Sequence, residues 1–263
     1  MRLVVKNSAF PRTKRSVSPT DSLNPSPVVD KSTERVRRMF AEIAPRYDFL
    51  NHLLSLNIDR YWRRRTLDLL DPKPGDPFLD VCTGTGDLAL AVAKRLDRKT
   101  QVIGSDFCGE MLHFARQKQH KMQLGQHPLA FLEADTTRLP FENDRFQTVS
   151  VAFGLRNVVD TLEGLKEMIR VCRPGGTVAV LEFSQPTLLG LKQLYNFYFR
   201  RVLPGIGNRI AKNSKEAYAY LPASVSQFPS GQAMADLMKQ VGLEQVRFVP
   251  MTFGVATLYY GRK

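Results

Sequence analysis

Cysteine is scarce in this chain of 263 residues: Cys82, Cys108 and Cys172 are odd in number, far apart and form no C-x-x-C pair. That excludes a disulfide framework and a zinc knuckle, no metal is expected, and a reducing, cytoplasmic home follows. Long apolar runs are also missing. None approaches the roughly 18 to 20 residues that span a bilayer, and the N-terminus lacks the continuous apolar core of a secretory signal, so at most peripheral contact with the inner face of a membrane is expected. Acid is short as well: 25 Asp+Glu against 38 Lys+Arg leave a formal charge of +13. Such a surplus suits nucleic-acid phosphates, an anionic membrane or plain solubility, and does not choose among them. What is present is 43% hydrophobic residues with 16 Phe, enough for the core of one large domain.

Residues 1–30 hold five basic residues and two acids among many Ser, Thr, Pro and Asn, with no periodicity. They read as a disordered basic tail, and the acid-free first twenty share a composition with organellar transit peptides. The single folded domain is expected over 31–263. Within 31–71, Val36, Met39, Phe40 and Ile43 recur at helical spacing up to Pro45. Two further apolar series, ending at Asp71-Pro72, predict two more short helices. Beyond Pro77, strands are predicted at Phe78–Cys82, Gln101–Ser105, Ala130–Glu133, Thr148–Phe153 and Thr177–Phe183. Helices at Leu88–Leu96, Glu110–Gln119 and Thr161–Cys172 alternate with them. That alternation implies a doubly wound parallel sheet. The ending differs: a helical insertion over 186–220, a helix from Gly231 to Val241, and two strands, Glu244–Met251 and Val255–Gly261. A three-residue link joins those strands, predicting an antiparallel hairpin at a sheet edge.

Asp80-Val-Cys-Thr-Gly84-Thr85-Gly86-Asp87 sits where the first strand ends and a helix begins. Glycines there admit a ligand to the backbone, and the helix start offers unpaired N–H groups. The G-x-G-x-x-A spacing alone also fits a dinucleotide fold. Asp106, twenty residues beyond Gly86 at the end of the next strand, is placed to accept both hydroxyls of a ribose. Asp135, after the third strand, is within range of an adenine amino group. A nicotinamide enzyme would continue with more parallel strands and a catalytic domain. The closing hairpin instead suits the α/β fold of a class I S-adenosylmethionine-dependent methyltransferase, Rossmann-like with seven strands.

Further residues carry a family resemblance. Tyr47-Asp48-Phe49-Leu50-Asn51-His52-Leu53-Leu54-Ser55 with Trp62 is similar to the first signature of the ubiquinone/menaquinone biosynthesis C-methyltransferases, departing at Leu50 for Met and at Asp59 for His. Arg170-Val-Cys-Arg-Pro-Gly-Gly176 with Glu182 and Ser184 resembles the second, departing at Cys172 and Arg173. Phe153-Gly-Leu-Arg156-Asn157-Val158, Tyr218-x-Tyr220-Leu221 and Phe228-Pro229 also match, so the resemblance runs from about residue 33 to the end. It implies methyl transfer from S-adenosylmethionine to a ring carbon of a polyprenylated hydroquinone. Demethylmenaquinol is the foremost acceptor, and the methoxy-benzoquinol of ubiquinone synthesis, or both quinols, is the alternative. Cofactor contacts carry over to Thr85, Asp106, Asp135 and Thr136, beside Gly84 and Gly86. A family contact that is often Ser falls on Ala152 here, which lacks the hydroxyl.

Such a reaction needs a hydroxyl deprotonated next to the attacked carbon. Arg156 is expected to stabilise the phenolate, unless it pairs with a carboxylate instead, and Asn157 to orient the ring hydroxyl. Asp59 reads equally as the base or as a helix cap, and His52 as a base or a packing residue. Between Gln185 and Lys215 there are six basic residues and no acid among nine Leu, Tyr and Phe side chains. This segment reads as a cap for the polyprenyl tail, lying on an anionic membrane or buried against the domain. An RNA methyltransferase would explain the charge, but no [DNS]-P-P-[YFW] loop or Pro-Cys nucleophile is present, so no nucleic-acid partner is expected. A homodimer is compatible with all of this.

Overall fold

The computed structural model describes residues 31–186 save position 97, residue 193, and residues 215–263; the basic tail and most of the expected cap lie outside the described residues. Three helices come first: α1 (Thr33–Ile43), α2 (Tyr47–Leu54) and α3 (Ile58–Leu70), with Pro45 inside the 3-10 turn that separates the first two. The alternating region follows as β1 (Phe78–Val81), α4 (Asp87–Arg95), β2 (Val102–Asp106), α5 (Gly109–Lys121), β3 (Leu129–Glu133), β4 (Phe146–Ala152), α6 (Thr161–Val171) and β5 (Cys172–Phe183). The chain closes with α7 (Lys215–Gln227), α8 (Gln232–Gln240), β6 (Glu244–Met251) and β7 (Ala256–Arg262).

These strands form one seven-stranded sheet in the order β3-β2-β1-β4-β5-β7-β6. The first five are parallel, and β7 runs antiparallel to both β5 and β6. Every residue of β1 and β2 is buried, as strands covered by helices on both faces require. One core, with Leu79, Val81, Phe146, Val149, Leu165 and Met168 at its centre, lies between the sheet and the α6–α8 side. A second packs Leu88, Ala89, Val92, Leu112 and Ala115 of α4 and α5 onto β1, β2 and β3. Trp62 of α3 joins Phe153 and Leu258 in a third, and Val36 and Met39 of α1 meet Tyr220 of α7 in a fourth. The strand order reverses between β1 and β4, so ligands of such a sheet gather at the carboxyl ends of those two strands. Among the described residues no helix is long and apolar enough to cross a membrane.

Several boundaries differ from the sequence reading: α7 runs to Gln227, seven residues past the expected end of the insertion, β4 starts at Phe146 rather than Thr148, and β5 is longer. β5 starts at Cys172 rather than Thr177, taking in Arg173-Pro-Gly-Gly176. Gly175 N–H donates to the Lys263 carbonyl and Lys263 N–H to the Gly176 carbonyl, so the C-terminal residue pairs the turn as strand.

Candidate functional site

A cleft of about 610 Å³, including the solvent it admits, opens at the predicted switch point. That is the size range of small-ligand sites. Gly84, Asp106, Asp135 and Thr136 form one part of its wall. Cys82, Phe153, Gly154, Asn157, Val158 and Val159 form the β4 side, and Thr33, Phe40 and Tyr47 close it from the N-terminal helices.

The two glycines of the turn do different work. Gly84 has φ +57°, and a Cβ there would meet only Tyr47 Cε1 at 3.9 Å, so its lack of a side chain keeps the cleft open. Gly86 has φ +82° and is enclosed: a Cβ would lie 2.9 Å from the Phe131 ring and 3.0 Å from the Ala115 methyl. It lets α4 pack close, and it does not line the cleft.

Asp106 ends β2 almost fully buried. Its Oδ2 accepts from Gly84 N–H at 2.8 Å and its Oδ1 from Cys108 N–H at 2.9 Å. A carboxylate oxygen has two lone pairs, so each retains one for a ligand hydroxyl. Burial pushes this carboxyl up to about 6, against the pull of those backbone donors. Asp135 is exposed at the cleft rim, its Oδ1 held by Thr137 N–H and Oγ1 at 2.8 Å each. Thr136 is buried with Oγ1 3.2 Å from Cys82 Sγ.

Thr85 faces elsewhere. Its hydroxyl donates to Asp48 Oδ1 at 2.5 Å and accepts from Lys118 Nζ at 2.9 Å. Lys118 also pairs with Asp48 Oδ2 at 2.9 Å and with Asp87. Arg63 extends the chain of charges, with Nη2 3.5 Å from Asp87 and Nη1 2.5 Å from Asp59. Asp48 of the first signature thus clamps α2 onto the glycine turn through Thr85, which places Thr85 behind the cleft wall rather than on it.

Asp59 belongs to the same network, which corrects both of its expected roles. Its carboxylate takes Ser55 Oγ at 2.7 Å, His52 Nδ1 at 3.0 Å and Arg63, and it makes no cap bond to α3. Burial alone would raise its pKa, but the Ser55 hydrogen bond, the Arg63 charge and the His52 contact outweigh it and hold the carboxyl below the usual range. A carboxylate so stabilised and enclosed, and absent from the cleft wall, is a poor proton acceptor. His52 is committed to it. His52, Asp59 and Asp87 lie close enough together to ligate a cation, yet the Arg63 guanidinium already bridges the two carboxylates.

Arg156 and Asn157 follow β4 in a 3-10 turn, both buried. Arg156 is not on the cleft wall and makes the pairing held out as its alternative role. Its Nη1 bonds Glu182 Oε2 at 2.9 Å and the Phe153 carbonyl, its backbone N–H bonds Glu182 Oε1, and its guanidinium stacks 5.2 Å over the Phe183 ring. Its positive field still reaches the Tyr47 phenol. Asn157 does line the cleft, and its Oδ1 is buried without a protein partner. A buried acceptor left open costs stability unless a ligand meets it.

Sequence reasoning passed over Tyr47, Cys82 and Phe153 as wall residues. Tyr47 opens the first signature, but nothing local shows that α2 folds over Gly84.

The rim fits an adenosyl ligand: an open glycine turn, a buried carboxylate with spare lone pairs at the end of β2, and a second carboxylate at the end of β3. This sheet order and this site define a class I S-adenosylmethionine-dependent methyltransferase. In fold the chain is similar to an S-adenosylmethionine-dependent methyltransferase from Thermotoga maritima, with a TM-score of 0.62 at 17% identity, covering 87% of this chain and 99% of that one. The [4+2]-cyclase SpnF is similar too (TM-score 0.58, 17% identity, 88% and 96% covered), so the fold alone does not fix the reaction. Sequence narrows it further. The model of the ubiE/COQ5 methyltransferase family matches residues 28–263, and the chain belongs to that family. It is 45% identical to the ubiquinone/menaquinone biosynthesis C-methyltransferase of Geotalea daltonii over 88% of this chain and 97% of that one. It is 42% identical to the demethylmenaquinone methyltransferase of Bacillus cereus over 88% and 96%.

Proposed function

We propose that the enzyme methylates a ring carbon of a polyprenylated hydroquinone, with demethylmenaquinol as its acceptor. The observation that carries this reading is the open Asn157 Oδ1, a buried hydrogen-bond acceptor set among Phe153, Val158 and Val159. An open acceptor beside apolar wall residues suits an aromatic ring bearing a hydroxyl, and the names of the relatives point the same way. S-adenosylmethionine, when bound, supplies an electrophilic methyl group on a sulfonium. Gly84, Asp106, Asp135 and Thr136 are the residues that would hold it.

In this reading Asn157 Oδ1 accepts a hydrogen bond from the ring hydroxyl and fixes which ring carbon faces the donor. Arg156 acts at one remove. Its pairing with Glu182 holds the turn that presents Asn157.

The test is transfer of label from S-adenosylmethionine to reduced demethylmenaquinone and, in parallel, to the reduced ubiquinone precursor, each in detergent. Label in the naphthoquinol alone is the expected result. Label in both would support the dual activity that the name of the Geotalea relative carries. Label in neither, with cofactor binding intact, would refute the acceptor class.

A further inference from the structure

The described residues contain one concentrated patch of exposed apolar side chains. Phe49, Leu53, Leu56 and Tyr61 are 59%, 37%, 74% and 54% exposed, and all belong to α2, α3 or the turn between them. Phe49 and Leu53 are one helical turn apart, hence on one side of α2. Leu56 has φ +52° and Asn57 φ +61°, so the turn holds a leucine in the left-handed region and turns it outward. A β-carbon is strained there, and the strain is spent on placing an apolar side chain in water. Phe253 is 68% exposed and also left-handed, on the loop that Thr252 Oγ1 ties to Trp62 of α3 at 2.8 Å. Single exposed leucines are ordinary, but a contiguous set marks a contact surface.

Charge says what the contact is. α3 buries Asp59, Trp62 and Thr66, so Arg60, Tyr61, Arg64 and Arg65 occupy its outer side, and all four are exposed. Among the described residues, no acid from 45 to 65 is exposed; Asp48 and Asp59 are both drawn inward. Asp68, the next acid along this side, is paired with Arg95 at 2.5 Å. Arginine beside projecting Phe, Leu and Tyr is the composition that sits at a bilayer interface, guanidinium on lipid phosphates and apolar groups in the acyl boundary. A second copy of the chain would instead set these arginines against their own kind.

We infer that the α2–α3 hairpin, led by Leu56 and flanked by Arg60, Arg64 and Arg65, docks the enzyme on an anionic lipid surface. It rests on the reading that the methyl acceptor is lipid-borne, and it places the cleft beside the bilayer. Tyr47, at the start of α2, lines the cleft, and Arg63 of α3 lies 5.6 Å over the ring of Phe153 in the same wall.

Flotation of the full-length protein with phosphatidylcholine vesicles, with and without phosphatidylglycerol, tests it. The protein should float with the anionic vesicles only, less so as salt rises. Phe49→Ser/Leu56→Ser and Arg60→Glu/Arg64→Glu should each weaken that binding about tenfold or more. Both should keep wild-type affinity for S-adenosylhomocysteine, which shows that they fold. A wild type that ignores anionic vesicles, or variants that bind them undiminished, would overturn the assignment. So would a concentration-dependent dimer abolished by the same substitutions, which would give the face to a second copy. Vesicle binding is read without any quinol. Failure of quinol methylation with intact vesicle binding therefore sinks the acceptor reading alone, and the reverse pattern sinks the docking surface alone.

Discussion

At the scale of single residues, Asp106 carries the most weight because two demands meet on one carboxyl. It orders the glycine turn through Gly84 N–H, and its spare lone pairs face the cleft. Asp106→Ala should weaken S-adenosylhomocysteine binding by about 1.5 to 3 kcal/mol, roughly tenfold to a hundredfold, as the hydrogen bonds to two hydroxyls are lost. Its pKa adds a sign. With the carboxyl pushed up to about 6, acidification through that value protonates it and removes acceptors that the ligand needs. Cofactor affinity measured by calorimetry should fall below about pH 6, and the fall should vanish in Asp106→Asn. The two glycines part company in the same assay. Gly86→Ala drives a methyl into Phe131 and Ala115 at a positive φ and should cost about 2 to 3 kcal/mol of stability. Gly84→Ala meets no backbone or core and should cost about 1 kcal/mol of stability while hindering the ligand.

Elements show where local signals suffice and where they stop. The parallel strands were legible because burial on both faces writes short, mainly apolar runs, as at Phe78-Leu79 and Val102-Ile103, with the polar residues toward the ends near the cleft. The places of Gly84, Asp106, Asp135 and Thr136 on the cleft wall were legible because they follow strand ends, and those ends are visible. Thr85 was misplaced since its partners, Asp48 and Lys118, come from α2 and α5, 37 and 33 residues away. Asp59 and Arg156 are the same case: a charged residue near a motif reads as chemistry until its buried counter-charge, here Arg63 or Glu182, is seen. The Arg156–Glu182 pair ties the 3-10 turn after β4 to β5, with both side chains almost wholly buried. Arg156→Met should destabilise by about 3 to 5 kcal/mol by stranding Glu182, and Arg156→Met/Glu182→Leu should recover much of that. If instead the double variant melts as low as the single one, the pair is not what the turn depends on.

For the whole molecule, two pairs of enclosed aspartates have opposite pH behaviour. Asp80, held by Thr83 and Ser150 at 2.6 and 2.8 Å, and Asp106 are both raised to about 6, burial being the dominant cause. Each binds its proton more tightly folded than unfolded. Its stabilising contribution is therefore full below the unfolded value of 3.8 and is lost as pH rises through 6, on the order of 3 kcal/mol apiece. Asp59 and Asp87 run the other way. Burial opposes their charge, but Ser55 and Arg63 for Asp59, and Arg63 and Lys118 for Asp87, lower both carboxyls. Their contribution stands above the unfolded value and is lost as pH falls through the depressed one. Between them the unliganded protein should be most stable in mild acid, between about pH 4 and 6, with its melting temperature rising as pH drops from 8 and falling again below 4. Saturating S-adenosylhomocysteine should shrink the acid-side gain, because the ligand requires Asp106 ionised and so holds its proton off. Asp80→Asn/Asp106→Asn should abolish that gain and leave the collapse below pH 4 in place. A melting curve in which the double variant still stabilises from pH 8 to 5 would place the gain on other groups.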